Sequence, residues 1–432
     1  MKLSCYLGLV LFTFTTLNVF SNVEKKESVN CSDIPKSNYP WNVKKLLQKP
    51  QFKWTASEKG VRSLIYKGER YKGKIVDVFA YYSTPGILTG DASKDKNLPA
   101  IVLVHGGEGA AFSRWAKIWA SRGFAAIAID LSGNGAKKVK LKNGGPELNH
   151  KNIFDMIEQP VTEQWPYHGV ANVIKAHSLI RSFPEVDANR TAIMGISWGG
   201  YLTCISASLD HRFKAIASLY GCGFLYENSS WLEELNNLTP ANRRKWINLW
   251  DPSQYVQSIK NPIFFVNGGT DLHFRTDSYA RTYSLIKSKY KNIRYVPYLR
   301  HSHLFERPKE IEIFVNQFLN QGESLPKVTS VEIGEQEVKA HVKSEAKLLS
   351  ANLYYTTNSY QGKIPFSRIA NNSKQWEKNR KWIKLPAIID GKLVKAVRPP
   401  LNEATAWFFT VTDERNSLIS SEIMLSIGKR EK

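Results

Sequence analysis

The chain has 432 residues, more than one ordinary domain needs, and its 42% hydrophobic and 12% aromatic content supplies a sizeable core, which excludes a globally disordered protein. Sixty basic residues against 38 acidic ones give a formal net charge of +22, a field that attracts anions. No nucleic-acid-binding motif accompanies the charge, so the expected partner is an anionic polysaccharide or an envelope surface, with solubility alone as the plainer explanation.

The first residues, "MKLSCYLGLVLFTFTTLNVFSN", carry one lysine and then an apolar stretch. Val19 and Ser21 stand at the −3 and −1 places of a cut after Ser21. This predicts a signal peptide over 1–21, against the alternative of an N-terminal anchor, and therefore a secreted or periplasmic protein. No later stretch is apolar for long enough to span a bilayer, so no membrane span is expected in the mature protein. Cys5 would leave with the leader. Cys31, Cys204 and Cys222 are too few for a disulfide scaffold, and Cys204 and Cys222 read as buried thiols in preference to a pair.

Residues 22–59 are polar and lysine-rich and predict an N-terminal arm. "VRSLIYKGERYKGKIVDVFAYYSTP" then alternates with many β-branched and aromatic residues, which predicts two antiparallel strands turning near Lys72–Gly73. Short apolar runs follow, each ending in glycine or a polar turn and each separated from the next by a helical pattern: "PAIVLVHGG", "FAAIAID", "RTAIMGIS", "FKAIASLYG", "NPIFFVNGG". Runs alternating with helices imply βαβ units and a doubly wound, mostly parallel sheet buried on both faces. Ligands on such sheets collect at the carboxyl ends of the strands. A tryptophan-rich segment over 227–251 interrupts the rhythm and predicts helices that either form part of a lid or pack as an ordinary excursion. After about Gly322 the helical pattern stops. About seven alternating segments over 327–432 predict a small all-β sandwich domain of immunoglobulin or fibronectin type, and the α/β domain is bounded at 60–322.

"GISWG" over 195–199 fits G-x-S-x-G, which has meaning only where a strand precedes it and a helix follows, as "TAIMGI" and "GGYLTCISASL" do here. Ser197 in such a turn stands at the carboxyl edge of the sheet. A serine hydroxyl needs a base to take its proton, and a carboxylate to orient that base. Asp271 lies after the run "PIFFVNGG", and His301 and His303 lie after "IRYVPYL". The expected catalytic residues are Ser197, Asp271 and His303. His303 is preferred because it lies further along a loop that can fold back over the serine, and His301 is the alternate base. His273 is expected to be a loop residue or pocket wall. A developing oxyanion needs backbone N–H donors, for which Trp198, Gly107 and Glu108 are the candidates. No metal or organic cofactor is required by this chemistry.

"LVHGGEGAAFSRWAKIWASRGFAAIAIDLSGNG", the elbow region, "FFVNGGTDLHF" and "LRHSHLFERP" together resemble the α/β-hydrolase superfamily over about 60–320. More narrowly the chain is similar to secreted esterases related to acetyl xylan esterases and dienelactone hydrolases, with prolyl oligopeptidase-like peptidases as nearest peptidase kin. The resemblance implies an α/β-hydrolase fold, the family's roles on Ser197, Asp271 and His303, and an ester or acylated carbohydrate as substrate. The loop reads H-G-G-E-G where relatives often carry a further glycine. The expected activity is that of a serine esterase, and the lysine-rich "AKKVKLKNGG" (Lys137, Lys138, Lys140, Lys142) is expected to border the cleft. The rivals are a prolyl oligopeptidase-type peptidase, for whose usual propeller there is no room here, and a non-catalytic glycan-binding protein on a hydrolase scaffold.

Overall fold

The computed structural model describes residues 39–303, 309–357 and 381–425. The predicted signal peptide over 1–21 and Cys31 lie outside the described residues.

The expected hairpin is present: β2 (Val61–Tyr71) and β3 (Lys74–Ser83) pair antiparallel through Lys72 and Gly73, both at positive φ as a tight turn of right-twisted strands requires. β1 (Phe52–Glu58) adds to β2 as an antiparallel edge strand. The apolar runs become β4 (Leu98–Val104), β5 (Ala125–Ile129), β6 (Val186–Ile196), β7 (Ala215–Leu219), β8 (Ile263–Gly268) and β9 (Lys291–Val296). These six are mutually parallel, and the sheet order is β1-β2-β3-β5-β4-β6-β7-β8-β9. The continuous apolar runs are explained by burial on both faces, since every residue of β4, β5, β7 and β8 is buried.

Residues 39–58 belong to this domain instead of forming a free arm. Trp41 is buried, its indole N–H donates to the Tyr167 carbonyl at 2.9 Å, and the one-turn helix α1 (Val43–Leu46) lies in the same stretch. An edge strand exposes one side, so β1 is mostly polar and lacks the apolar signature of its neighbours.

Helices link the strands: α2 (Pro85–Thr89), α3 (Ser113–Ser121), α4 (His150–Phe154), α5 (Trp165–Ile180) and α6 (Trp198–Leu209). The expected helical excursion contains α7 (Leu232–Asn237) and α8 (Pro240–Trp250), and α9 (Thr276–Leu285) and α10 (Lys309–Leu319) complete the domain. α5 and α6 are buried along their whole length; α6 is largely apolar, and α5 pairs its buried Lys175 with Glu69 and its buried His177 with Asp210. Cys204 and Cys222 are both buried and unpaired, and burial pushes the Cys204 thiol up to about 12.

The C-terminal domain is all-β and antiparallel as expected, but its strands form one curled sheet in place of the expected sandwich of two packed sheets. It comprises β10 (Lys327–Ile333), β11 (Glu337–Lys343), β12 (Leu348–Thr356), β13 (Ile383–Asp390), β14 (Leu393–Val397), β15 (Ala406–Asp413), β16 (Leu418–Ser420) and β17 (Met424–Leu425). All are antiparallel and joined in one sheet path, β10-β11-β14-β13-β12-β15-β16, with β17 also on β15; β10 and β16 approach one another, which curls the sheet into a half-barrel. The single expected last strand is two, because the register on β15 slips by one residue between β16 and β17. The break falls beside Ser420, whose hydroxyl bonds both the N–H and the carbonyl of Tyr295 in the α/β domain, at 2.8 and 2.9 Å.

Candidate active site

Chain order reverses between β4 and β6. β4 leads outward to β5, and β6 returns to the other side of β4. Loops diverge at such a switch point and leave a crevice at the carboxyl ends of the strands. The β4 loop (His105–Gly109) and the β6 turn (Ser197) both open there.

Ser197 follows β6 directly with φ 59° and ψ −123°, a conformation that costs on the order of 1–3 kcal/mol for a non-glycine residue. The turn is tight enough to exclude side chains on both flanks. A Cβ on Gly195 would lie 2.1 Å from the Gly199 carbonyl oxygen, and one on Gly199 would lie 2.1 Å from that of Val104. Ser197 precedes α6 yet makes no side-chain capping bond to it. Its hydroxyl faces elsewhere.

It faces His301. Ser197 Oγ lies 2.9 Å from His301 Nε2, and His301 Nδ1 lies 2.8 Å from Asp271 Oδ2. A carboxylate only accepts, so Nδ1 carries the proton and Nε2 of the neutral ring accepts from the serine. The other Asp271 oxygen accepts from the N–H groups of His273 (2.8 Å) and Phe274 (2.9 Å). Burial by itself would raise the Asp271 carboxyl. The adjacent imidazole of His301, that of His273 and these hydrogen bonds outweigh it and hold the group below its ordinary value. Tyr220 lies against the His301 ring at 4.7 Å, and Phe274 is parallel to it at 6.2 Å.

The preference for His303 over His301 is therefore corrected by geometry. A Cβ on Gly268 would sit 2.0 Å from the Leu299 carbonyl oxygen, so the base loop hugs the acid loop and follows a short path. His301 already reaches the serine on that path, and two more residues carry the chain past it. His303 Nε2 accepts from the Gly106 N–H at 3.1 Å, with the ring near Phe112 and Trp115. Burial, with His105, His301 and Lys138 nearby, lowers its pKa to about 4.

His303 thus braces the β4 loop. A Cβ on Gly106 would fall 2.6 Å from that of Ser197, so this loop passes directly over the serine. The Gly106 carbonyl is held at the same time by His105 Nδ1 at 2.7 Å and by the Gly109 N–H at 3.3 Å. His105 Nε2 accepts from the Leu131 N–H at 3.0 Å and ties the loop to the end of β5.

Of the three candidate donors, Trp198 heads α6, where its N–H has no intrahelical acceptor. Gly107 lies over the Trp198 ring, since a Cβ there would be 3.2 Å from Cδ1. Glu108 is exposed at φ 58°, and Lys138 Nζ donates to its carbonyl at 2.7 Å. The structure brings Gly106 to the serine, Gly107 to the Trp198 ring, and Glu108 to the lysine-rich loop.

The segment over 227–251 supplies a wall that the sequence reading did not place. The Trp231 ring packs 4.5 Å from Trp198 and 5.0 Å from Phe274, and it stacks on His273 at 5.6 Å. Its indole N–H donates to His150 Nε2 at 3.2 Å. Phe154 and Trp165 close further sides of Trp198. His273 is a half-buried wall residue, with Ser230 Oγ 3.0 Å from its Nδ1, and desolvation lowers its pKa to about 4. Among the described residues no group of three or more His, Cys, Asp or Glu is arranged to hold a metal ion.

The fold, with a Ser–His–Asp chain at the switch point, is that of an α/β-hydrolase. The dienelactone hydrolase family profile matches residues 86–325, more than half of the sequence, and the chain belongs to that family of hydrolases. Among solved structures, an acetyl xylan esterase from Paenibacillus sp. R4 superposes with a TM-score of 0.51 at 22% identity, over 64% of this chain and 92% of its own. Acetyl xylan esterase 1 from Thermoanaerobacterium sp. JW/SL YS485 gives 0.51 at 18% identity, over 65% and 92%. At these identities the likeness is one of fold. The acylamino-acid-releasing enzyme of Rattus norvegicus is 24% identical over 254 residues, 51% of this chain and 31% of that enzyme, so this chain matches about a third of that relative's length.

Proposed function

We propose that the protein is a serine esterase that removes acyl groups from a carbohydrate through an acyl-serine intermediate. The observation that carries the reading is the unbroken series Ser197 Oγ–His301 Nε2 and His301 Nδ1–Asp271 Oδ2, set at the start of a buried helix. His301 takes the serine proton as Oγ attacks the acyl carbon, and Asp271 stabilises the imidazolium that forms. The N–H groups of Trp198 and Gly107 receive the developing oxyanion, with Gly107 held in place through the braced peptide of Gly106. His301 then returns the proton to the leaving sugar oxygen. Water activated by the same imidazole releases the acid. The aromatic wall of Trp198, Trp231 and Phe274 suits a small acyl group.

The exposed Lys137, Lys138, Lys140 and Lys142 favour an anionic polysaccharide as carrier of that group. Lys138 links their loop to the β4 loop beside the serine. The apolar leader supports a secreted or periplasmic site of action, which N-terminal sequencing of exported protein tests. Among the described residues no helix is long and apolar enough to cross a membrane.

The match to acylamino-acid-releasing enzymes supports a second reading, a peptidase acting on blocked or prolyl peptides. Fluorophosphonate labelling and hydrolysis of p-nitrophenyl acetate, acetylated xylan and proline p-nitroanilide separate the two. The esterase reading requires labelling at Ser197, turnover of the acetyl esters and loss of both in Ser197→Ala. Turnover of the anilide alone would establish the peptidase, and no labelling at all would leave a binding protein.

A further inference from the structure

The C-terminal β-domain touches the α/β domain at the two loops that carry Asp271 and His301. Trp382, immediately before β13, is the centre of that contact and only 6% exposed. Its indole edge lies against Gly269, two residues before Asp271. A Cβ on Gly269 would be 2.3 Å from Trp382 Nε1 and 2.8 Å from the Pro297 carbonyl oxygen, so this glycine is required by close approach from both sides. The indole N–H points at the Gly269 carbonyl at 3.4 Å. On the other side the Trp382 backbone N–H donates to Tyr298 Oη at 3.0 Å, and Tyr298 Oη–H faces the Trp382 carbonyl at 3.4 Å. Tyr298 lies three residues before His301. One tryptophan of the second domain therefore touches the acid loop with its ring and the base loop with its backbone.

Aromatic packing supports it from behind. Trp382 packs edge-on against Phe408 of β15 at 5.1 Å and Tyr295 of β9 at 6.1 Å, and Tyr295 meets Phe408 at 4.9 Å. Ser420 fixes both backbone groups of Tyr295. The Gly269 N–H donates to the Val296 carbonyl at 2.9 Å and joins the two loops beneath the indole.

We propose that the C-terminal domain sets the spacing of the acid and base loops, and that Trp382 is the positioning residue through which it does so. The proposal rests on the serine esterase reading for its kinetic consequence, but not for its structural one. Removing the indole frees Gly269, and the loop can relax into the vacated space. Asp271 then withdraws from His301, whereas Ser197 and Trp198, at the junction of β6 and α6, stay in place. The expected signature is a fall in kcat with KM nearly constant.

The test uses the full chain with Trp382→Ala, Trp382→Phe and Tyr298→Phe, and p-nitrophenyl acetate as probe. Displacements of an ångström at a reacting centre cost up to about a hundredfold, so Trp382→Ala is expected to lower kcat by about ten- to a hundredfold with KM within about twofold. Trp382→Phe, which restores a ring, should recover part of the loss, and Tyr298→Phe should lower kcat by about two- to fivefold. Independently of any activity, the His301 Nδ1 proton, hydrogen-bonded to Asp271, should give a low-field proton resonance in the parent protein that is lost or shifted in Trp382→Ala. Unchanged kcat and an unchanged resonance in folded Trp382→Ala would overturn the proposal. Should Trp382→Ala not fold, Trp382→Phe and Tyr298→Phe decide it on the same two readouts. A protein that turns over no ester but shows the resonance change refutes the esterase reading and leaves the domain's positioning role standing.

Discussion

The division of labour between the two loop histidines gives the sharpest quantitative test. His301→Ala removes the group placed to accept the serine proton, and removal of such a histidine from a serine hydrolase lowers kcat by about 10⁶. His303→Ala instead strips the acceptor from a buried Gly106 N–H held at 3.1 Å. An unsatisfied buried donor costs about 1–3 kcal/mol, and His303 is half-buried, so water recovers part of that cost. The lower half of the range, about 1–2 kcal/mol, corresponds to roughly five- to thirtyfold if all of it falls on the geometry of the Gly106–Gly107 peptide proposed to face the oxyanion. The two alanine variants should thus differ by at least about a thousandfold. His303→Gln, whose amide oxygen can stand where Nε2 stood, should restore most of the His303 loss. Initial rates on p-nitrophenyl acetate and the rate of fluorophosphonate labelling measure both effects, because labelling needs the nucleophile, the base and the oxyanion site. If His303→Ala were as inactive as His301→Ala, or His301→Ala kept more activity than His303→Ala, the assignment of His301 as base would be wrong.

Further outcomes follow from the same geometry. His105 accepts a hydrogen bond on Nε2 and is driven by burial to about 4, so the fold excludes a proton that the unfolded chain binds near 6.5. Its contribution is fully present above about pH 6.5 and is lost as pH falls toward 4, with a size of roughly 3 kcal/mol. His105→Gln should therefore lose less melting temperature than the parent between about pH 7 and about pH 5, and equal losses would refute the linkage. Lys137→Gln with Lys142→Gln should reduce kcat/KM on an acetylated anionic polysaccharide several-fold at low salt and leave p-nitrophenyl acetate unaffected. Salt should weaken the parent's advantage as screening lengths shorten. A salt-independent rate on the anionic substrate would remove the lysine loop from the account.

What the sequence discloses is set by what burial demands of it. A strand covered on both faces must be apolar throughout, so β4, β5, β7, β8 and the buried second half of β6 stand out as runs. A turn whose flanks touch backbone must carry glycine, so Gly195 and Gly199 marked Ser197 before any coordinate. β1 was missed because an edge strand has one solvated side and no such obligation. The break between β16 and β17 falls where Ser420 bonds Tyr295, more than a hundred residues away, a contact no local pattern records.

The choice between His301 and His303 shows the limit most clearly. Both follow β9 with the same residue type and nearly the same spacing, and no local rule separates them. The deciding quantity is the path length of the base loop, fixed where Leu299 lies on Gly268 and Trp382 lies on Gly269. Those glycines were visible as "NGGTD", but their partners come from the base loop and from the second domain. Local sequence specifies which atoms can react, whereas the distance between them is set by contacts across the fold. The same reasoning explains why Trp382, which looks in sequence like any strand tryptophan, governs the spacing of two loops that it does not belong to.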